Sequence, residues 1–167
     1  MAYHLFVAGV PATGKTWLGC WLAERGYIHI DAEKNQGADF DRVGLHGAWD
    51  QLIAARQALP FVKAANALGK PVVVNWGFRL CYLYVVTALQ SEGVAAWWLH
   101  ANREQARAAF VARGGFDVAC FDRQMDDIER DWPALSLVFG KRVVHGLRQD
   151  GSQRTPEEIW ADITAAG

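Results

Sequence analysis

Gly9-Val10-Pro11-Ala12-Thr13-Gly14-Lys15-Thr16 fits the pattern G-x-x-x-x-G-K-[ST], and the residues on either side of it decide the fold. Before it, Tyr3-His4-Leu5-Phe6-Val7-Ala8 is too uniformly apolar for a sheet with one wet face and reads as a central buried strand. After it, residues 15–25 read as a helix that stops at Gly26. Strand, glycine-bounded turn and helix in that order make a phosphate-binding loop. The glycines let backbone N–H groups turn inward around phosphate oxygens, and the helix aims its positive end at the same anion. Lys15 adds a point charge on the β- and γ-phosphates, and Thr16 offers its hydroxyl to Mg²⁺. Average composition yields the pattern by accident in roughly one chain of this length in a hundred, before the flanking strand and helix are required.

Outward from the loop, short apolar runs alternate with helical stretches. Tyr27-Ile28-His29-Ile30 reads as a second strand that delivers Asp31 at its carboxyl end, with His29 in the core. Residues 32–45 are polar. Helical periodicity then runs from His46 to Leu68, bent near Pro60, because proline removes a helical hydrogen bond, and Gly69 closes it. Pro71 to Asn75 is a third strand, Phe78 to Ser91 a helix, and Val94 to Leu99 a fourth strand. Asn102 caps a helix that runs to about Arg113, where Gly114-Gly115 breaks it. Residues 116–138 read as a mobile connection plus a helix, and Arg142 to Leu147 as strand five. Thr155-Pro156-Glu157-Glu158 starts a terminal helix with a cap, a proline in the first turn and two acids at the positive dipole end. The expected architecture is α/β: a three-layer α/β/α sandwich with a five-stranded parallel sheet and about six helices, one domain over residues 1–167.

The 167 residues are 51% hydrophobic with a formal net charge of -1, enough apolar content for a core and no overall pull toward nucleic acid or a membrane surface. Cys20, Cys81 and Cys120 lack metal-ligand spacing and read as buried, reduced thiols of a cytoplasmic protein. The start Met1-Ala2-Tyr3-His4 has no basic region before an apolar one, and no apolar run approaches a membrane span. Of the eight tryptophans, Trp97 and Trp98 in a strand and Trp17 and Trp21, four apart on a helix, read as core.

On the phosphate loop, and on the length and order of the elements across nearly the whole chain, the sequence resembles the small P-loop kinases that phosphorylate metabolites, the group with shikimate kinase, gluconate kinase and chloramphenicol phosphotransferase. The resemblance implies ATP as phosphoryl donor with Mg²⁺, an acid at the end of strand two, substrate contacts after strand three, and an arginine-bearing lid after strand four. Asp31 is then the acid that orients or deprotonates the acceptor hydroxyl or holds Mg²⁺ through water, with Glu33 a second acid. An Asp also caps such turns by local hydrogen bonding alone. Asn75, Gly77 and Arg79 become substrate residues with Trp76 as a pocket wall, although Arg79 also suits a solvated helix turn. The turn Asn75-Trp76-Gly77-Phe78-Arg79 differs from the glycine-rich turn of shikimate kinases. The lid corresponds to about 103–125, with Arg107 and Arg113 as the catalytic pair, Arg103 on the same helix face as Arg107, and Arg123 as an outside candidate. The glycine pair lets the lid move, and Arg148-Gln149-Asp150-Gly151 falls where the family packs the adenine.

The expected function is transfer of the ATP γ-phosphoryl group to a hydroxyl of a small molecule. Two alternatives stand beside it: a kinase for a nucleotide or a polynucleotide 5′-hydroxyl, which salt-sensitive oligonucleotide binding would mark, and a non-catalytic nucleotide-binding regulatory module, which binding without turnover would mark.

Overall fold

The computed structural model describes residues 3–33 and 37–166; residues 1–2, within the expected chain start, and residues 34–36, within the polar stretch 32–45, lie outside it. Five strands, β1 (Leu5–Gly9), β2 (Ile28–Asp31), β3 (Val72–Asn75), β4 (Ala95–His100) and β5 (Val143–His145), form one sheet in the order β2-β3-β1-β4-β5. Every pairing is parallel, so the carboxyl ends line one edge, where an open sheet of this kind assembles its sites. All five residues of β1 are buried, as a strand covered on both faces requires.

Alternation along the strands divides the core in two. Leu5, Val7, Val73, Trp97 and Leu99 face α1 (Lys15–Ala23), which supplies Leu18 and Leu22, and the C-terminal helix, which supplies Ile159 and Ile163. Phe6, Ala8, Ile30, Val72, Val74 and Trp98 face a larger cluster under the remaining helices. The architecture is the expected three-layer sandwich, with five parallel strands and, among the described residues, nine α-helices.

The extra helices come from breaks that periodicity hides. The single bent helix expected over 46–68 is two, α3 (His46–Ala55) and α4 (Leu59–Ala67). Arg56 caps α3 in the left-handed conformation (φ 58°), and Pro60 sits in the first turn of α4, where its missing N–H costs nothing. The polar stretch holds a short helix, α2 (Ala38–Arg42). The helix expected from Phe78 begins later, as a 3₁₀ turn over Leu80–Tyr82 leading into α5 (Leu83–Ser91). Residues 103–139 form α6 (Arg103–Ala112), α7 (Val118–Arg130) and α8 (Trp132–Phe139), so the expected connection after Phe116 is almost wholly helical. Asn102 caps α6, accepting the Gln105 N–H, and α9 (Pro156–Ala165) carries a full capping box between Thr155 and Glu158.

Two other expectations are corrected. Cys20 and Cys81 are exposed and Cys120 is half-buried, each on the outer side of a helix or turn. Trp17 is exposed, whereas Trp21 packs against Trp160. No helix among the described residues is long and apolar enough to cross a membrane.

Candidate active site

Gly9, the last residue of β1, starts the loop, and only glycine fits there: its φ is 146°, and a Cβ would stand 2.2 Å from the Leu99 carbonyl oxygen of β4. The chain then wraps so that Ala12 (φ 64°) and Gly14 (φ 90°) both adopt left-handed conformations, which turns successive N–H groups toward one point. Thr13 is fully buried and donates its hydroxyl to the Val10 carbonyl at 2.7 Å, pinning the turn from inside. From the β5 side Gly146 packs so closely that a Cβ would lie 2.4 Å from the Thr13 carbonyl oxygen. The loop is therefore held against β4 and against the residue that follows β5.

Lys15 folds back over this turn and donates to the carbonyls of Gly9 (3.0 Å) and Val10 (2.9 Å). Among the described residues it makes no ion pair. Burial, with Arg113 acting in the same direction, lowers its pKa from 10.5 to about 8 against the opposing pull of Glu33 and Asp31. A half-buried cation that faces the cavity and is hydrogen-bonded only to two carbonyls fits a phosphate, which would add the close counter-charge that Glu33 and Asp31 supply only at a distance. Beside it, Thr16 donates its hydroxyl to Asp31 Oδ2 at 3.0 Å, which brings together the two oxygen groups expected at a Mg²⁺ site. The residues thus fit both a nucleotide phosphate chain and Mg²⁺.

Asp31 is buried and faces α1, because β2 places Ile28 and Ile30 on the larger cluster and His29 and Asp31 on the opposite face. Its other oxygen accepts the Glu33 N–H at 3.1 Å, so it also caps the turn after β2; its own N–H donates to Asp39 Oδ2 at 3.0 Å. Asp31 does not line the cavity. Glu33 does: its carboxylate lies against Gly77, where a Cβ would come within 2.8 Å of Oε1.

The cavity, of about 540 Å³, opens above the carboxyl edge of the sheet and joins the phosphate loop to Glu33, Gly77, Phe78, Arg79 and Arg113. Of the residues expected after β3, Gly77 and Arg79 line it. Asn75 is buried and hydrogen-bonded to His29 Nε2 on the α1 face, away from the cavity, so His29 is a partner of Asn75 and not an apolar core residue. Trp76 turns into the larger cluster between Trp49 and Tyr82, at ring distances of 5.3 and 5.4 Å, and Phe78 forms the wall in its place.

The expected arginines separate in the same way. Arg113 reaches the cavity and lies 5.4 Å from the Phe110 ring. Arg107 lies outside it with its guanidinium 3.6 Å from Asp122, and Arg103 is committed to Asp126 (2.6 Å) and Glu129 (3.1 Å), binding α6 to α7. Arg123 is exposed and does not line the cavity. Gly115, expected to permit lid movement, packs under Phe110, whose ring carbon would lie 2.4 Å from a Cβ there. Arg148 is an ion-pair partner of Glu158 at 2.6 Å and braces its own connection. Apolar cavity residues that the linear pattern did not mark, Phe110 on α6, Ile128 on α7 and Trp98 on β4, follow from the α6–α7 hairpin folding over the sheet edge.

No family model matches this chain, and no curated protein matches it in sequence. Solved structures do. A gluconokinase from Sinorhizobium meliloti 1021 superposes with a TM-score of 0.54 at 19% identity, over 98% of this chain and 90% of that one. A shikimate kinase from Bacteroides thetaiotaomicron gives 0.52 at 17% identity, over 98% and 95%. TT1252 from Thermus thermophilus gives 0.51 at 14%, over 99% and 97%. The chain has the fold of the small P-loop kinases. Within the P-loop kinase fold the loop Gly9–Thr16 occupies the turn after the central strand, and the matched lengths leave no large part of the chain unaccounted for.

Proposed function

We propose that this protein belongs to the small P-loop metabolite kinases and transfers the γ-phosphoryl group of ATP, in the presence of Mg²⁺, to a hydroxyl group of a small molecule. The observation that carries the reading is the placement of Glu33 in the same cavity as Lys15 and the loop N–H groups, with Asp31 and Thr16 joined behind them. The loop N–H groups and Lys15 bind the phosphates and hold them in line for transfer. Thr16 would hold Mg²⁺, with Asp31 behind it acting through water and through its hydrogen bond to the Thr16 hydroxyl, and the ion would neutralise charge between the phosphates. Glu33 accepts the proton of the acceptor hydroxyl as its oxygen attacks phosphorus, and the ADP oxygen leaves from the opposite side. Arg113 places a guanidinium beside the charge that spreads over the transferring group, and the wall of Phe78, Phe110 and Trp98 limits the access of competing water.

The test is ADP formation from Mg·ATP with pooled hydroxyl acceptors: sugar acids, nucleosides, aminoglycoside-like and phenicol-like compounds, and 5′-hydroxyl oligonucleotides. One pool is expected to stimulate turnover, Lys15→Ala to abolish it, and Glu33→Gln to lower kcat by about 10²–10⁴-fold with ATP binding retained. Turnover of Lys15→Ala equal to that of the unaltered protein rejects the assignment.

A further inference from the structure

Trp21 has an evident structural role, since it packs on Trp160 and its indole N–H donates to Glu157, so this face of α1 looks toward α9. Trp17 lies one turn earlier on the same face, where it is 47% exposed and lines the cavity beside the phosphate loop. Of the exposed large apolar side chains among the described residues, Trp17 alone lines this cavity. Gln153, on the connection between β5 and α9, lines the same end, with its Nε2 2.8 Å from where a Cβ of Gly14 would stand. That connection is braced by its own side chains. Arg148 donates to the Gln153 carbonyl at 2.7 Å and pairs with Glu158 at 2.6 Å, and Leu147 and Gln153 form an isolated bridge.

The two ends of the loop thus differ in chemistry. On the β2 side stand Asp31 and Glu33; on the β5 and α9 side stand an aromatic face and an amide. A triphosphate lying along the loop with its terminal phosphate toward Glu33 directs its nucleoside to the second end. We propose that Trp17 is the platform on which the nucleotide base stacks, with the Gln153 amide at the base edge; this rests on the kinase reading above. A π-face holds any base, and an amide offers both donor and acceptor, so the site binds purine nucleotides without strong selection between adenine and guanine.

The experiment is calorimetric titration of the full-length protein with Mg·ATP and, separately, with inorganic tripolyphosphate, which has the phosphates and no base. Trp17→Ala is expected to weaken ATP binding roughly tenfold or more and to leave tripolyphosphate within about twofold, with Trp17→Phe recovering most of the loss. Quenching of tryptophan fluorescence by ATP is expected to shrink in Trp17→Phe and to persist in Trp21→Phe. Equal weakening of both ligands, or of neither, overturns the stacking role and leaves the kinase reading standing. Failure of the unaltered protein to bind ATP overturns both.

Discussion

Lys15 stores a measurable cost in the folded protein. Its pKa of about 8, against 10.5 in the unfolded chain, means that between these values the unfolded state binds more protons. Stability therefore rises with pH through this group: the penalty is complete below pH 8 and fades as pH approaches 10.5. From those two values the gain between about pH 7 and about pH 9.5 is about 2 kcal/mol, or about 4–8 °C in melting temperature for a chain of this size. Lys15→Met removes the titration. It also leaves the Gly9 and Val10 carbonyls without their donor, but that loss is the same at every pH and cancels when one protein is compared with itself. Urea unfolding of both proteins at the two pH values is expected to show the unaltered protein gaining about 2 kcal/mol more than the variant. Saturating tripolyphosphate, by supplying the counter-charge, is expected to remove most of that difference. A pH dependence identical in the two proteins would refute the buried-cation argument, and with it the reason Lys15 waits for an anion.

Two further predictions concern the loop and the arginines of α6 and its C-cap. Gly9→Ala forces a Cβ onto the Leu99 carbonyl of the neighbouring strand and is expected to cost more than about 4 kcal/mol, read as loss of the cooperative thermal transition; a variant melting within a few degrees of the unaltered protein contradicts the close approach. Arg113→Ala is expected to lower kcat by about a hundredfold, whereas Arg107→Ala, which removes only an exposed contact with Asp122, leaves kcat within about twofold, and the reverse order would reassign the phosphate-binding arginine.

The loop and the sheet were legible because a few residues determine both. G-x-x-x-x-G-K-[ST] between an apolar run and a helix leaves one local geometry, and the uniformly buried β1 follows from a run with no polar alternation. The helices were less legible where two segments continue each other's period. Residues 46–68 keep a helical apolar spacing across Arg56, yet a single left-handed residue redirects the chain there. A proline near such a point reads equally as a bend or a start, and only the position of the preceding cap distinguishes them.

Side chains at the ends of strands were the hardest to assign, and Asp31 and Glu33 show why. Their sequence separation invites reading them as a strong acid and its understudy, but alternation sends Asp31 under α1, against Thr16, as soon as Ile28 and Ile30 are fixed in the opposite cluster. Glu33 lies beyond the last pleat, where alternation no longer decides direction, and the Asp31 cap on its N–H helps set the turn that brings it beside Gly77. The same rule separates Asn75 from Gly77. Asn75 pairs in register with Asp31 and, like Asp31, faces α1, whereas Gly77 lies past the strand and meets the cavity. At this edge of the sheet the last strand residue faces α1 and the second residue beyond it meets the cavity. In a parallel sheet of this kind, the acid to mutate first is therefore the one in the turn.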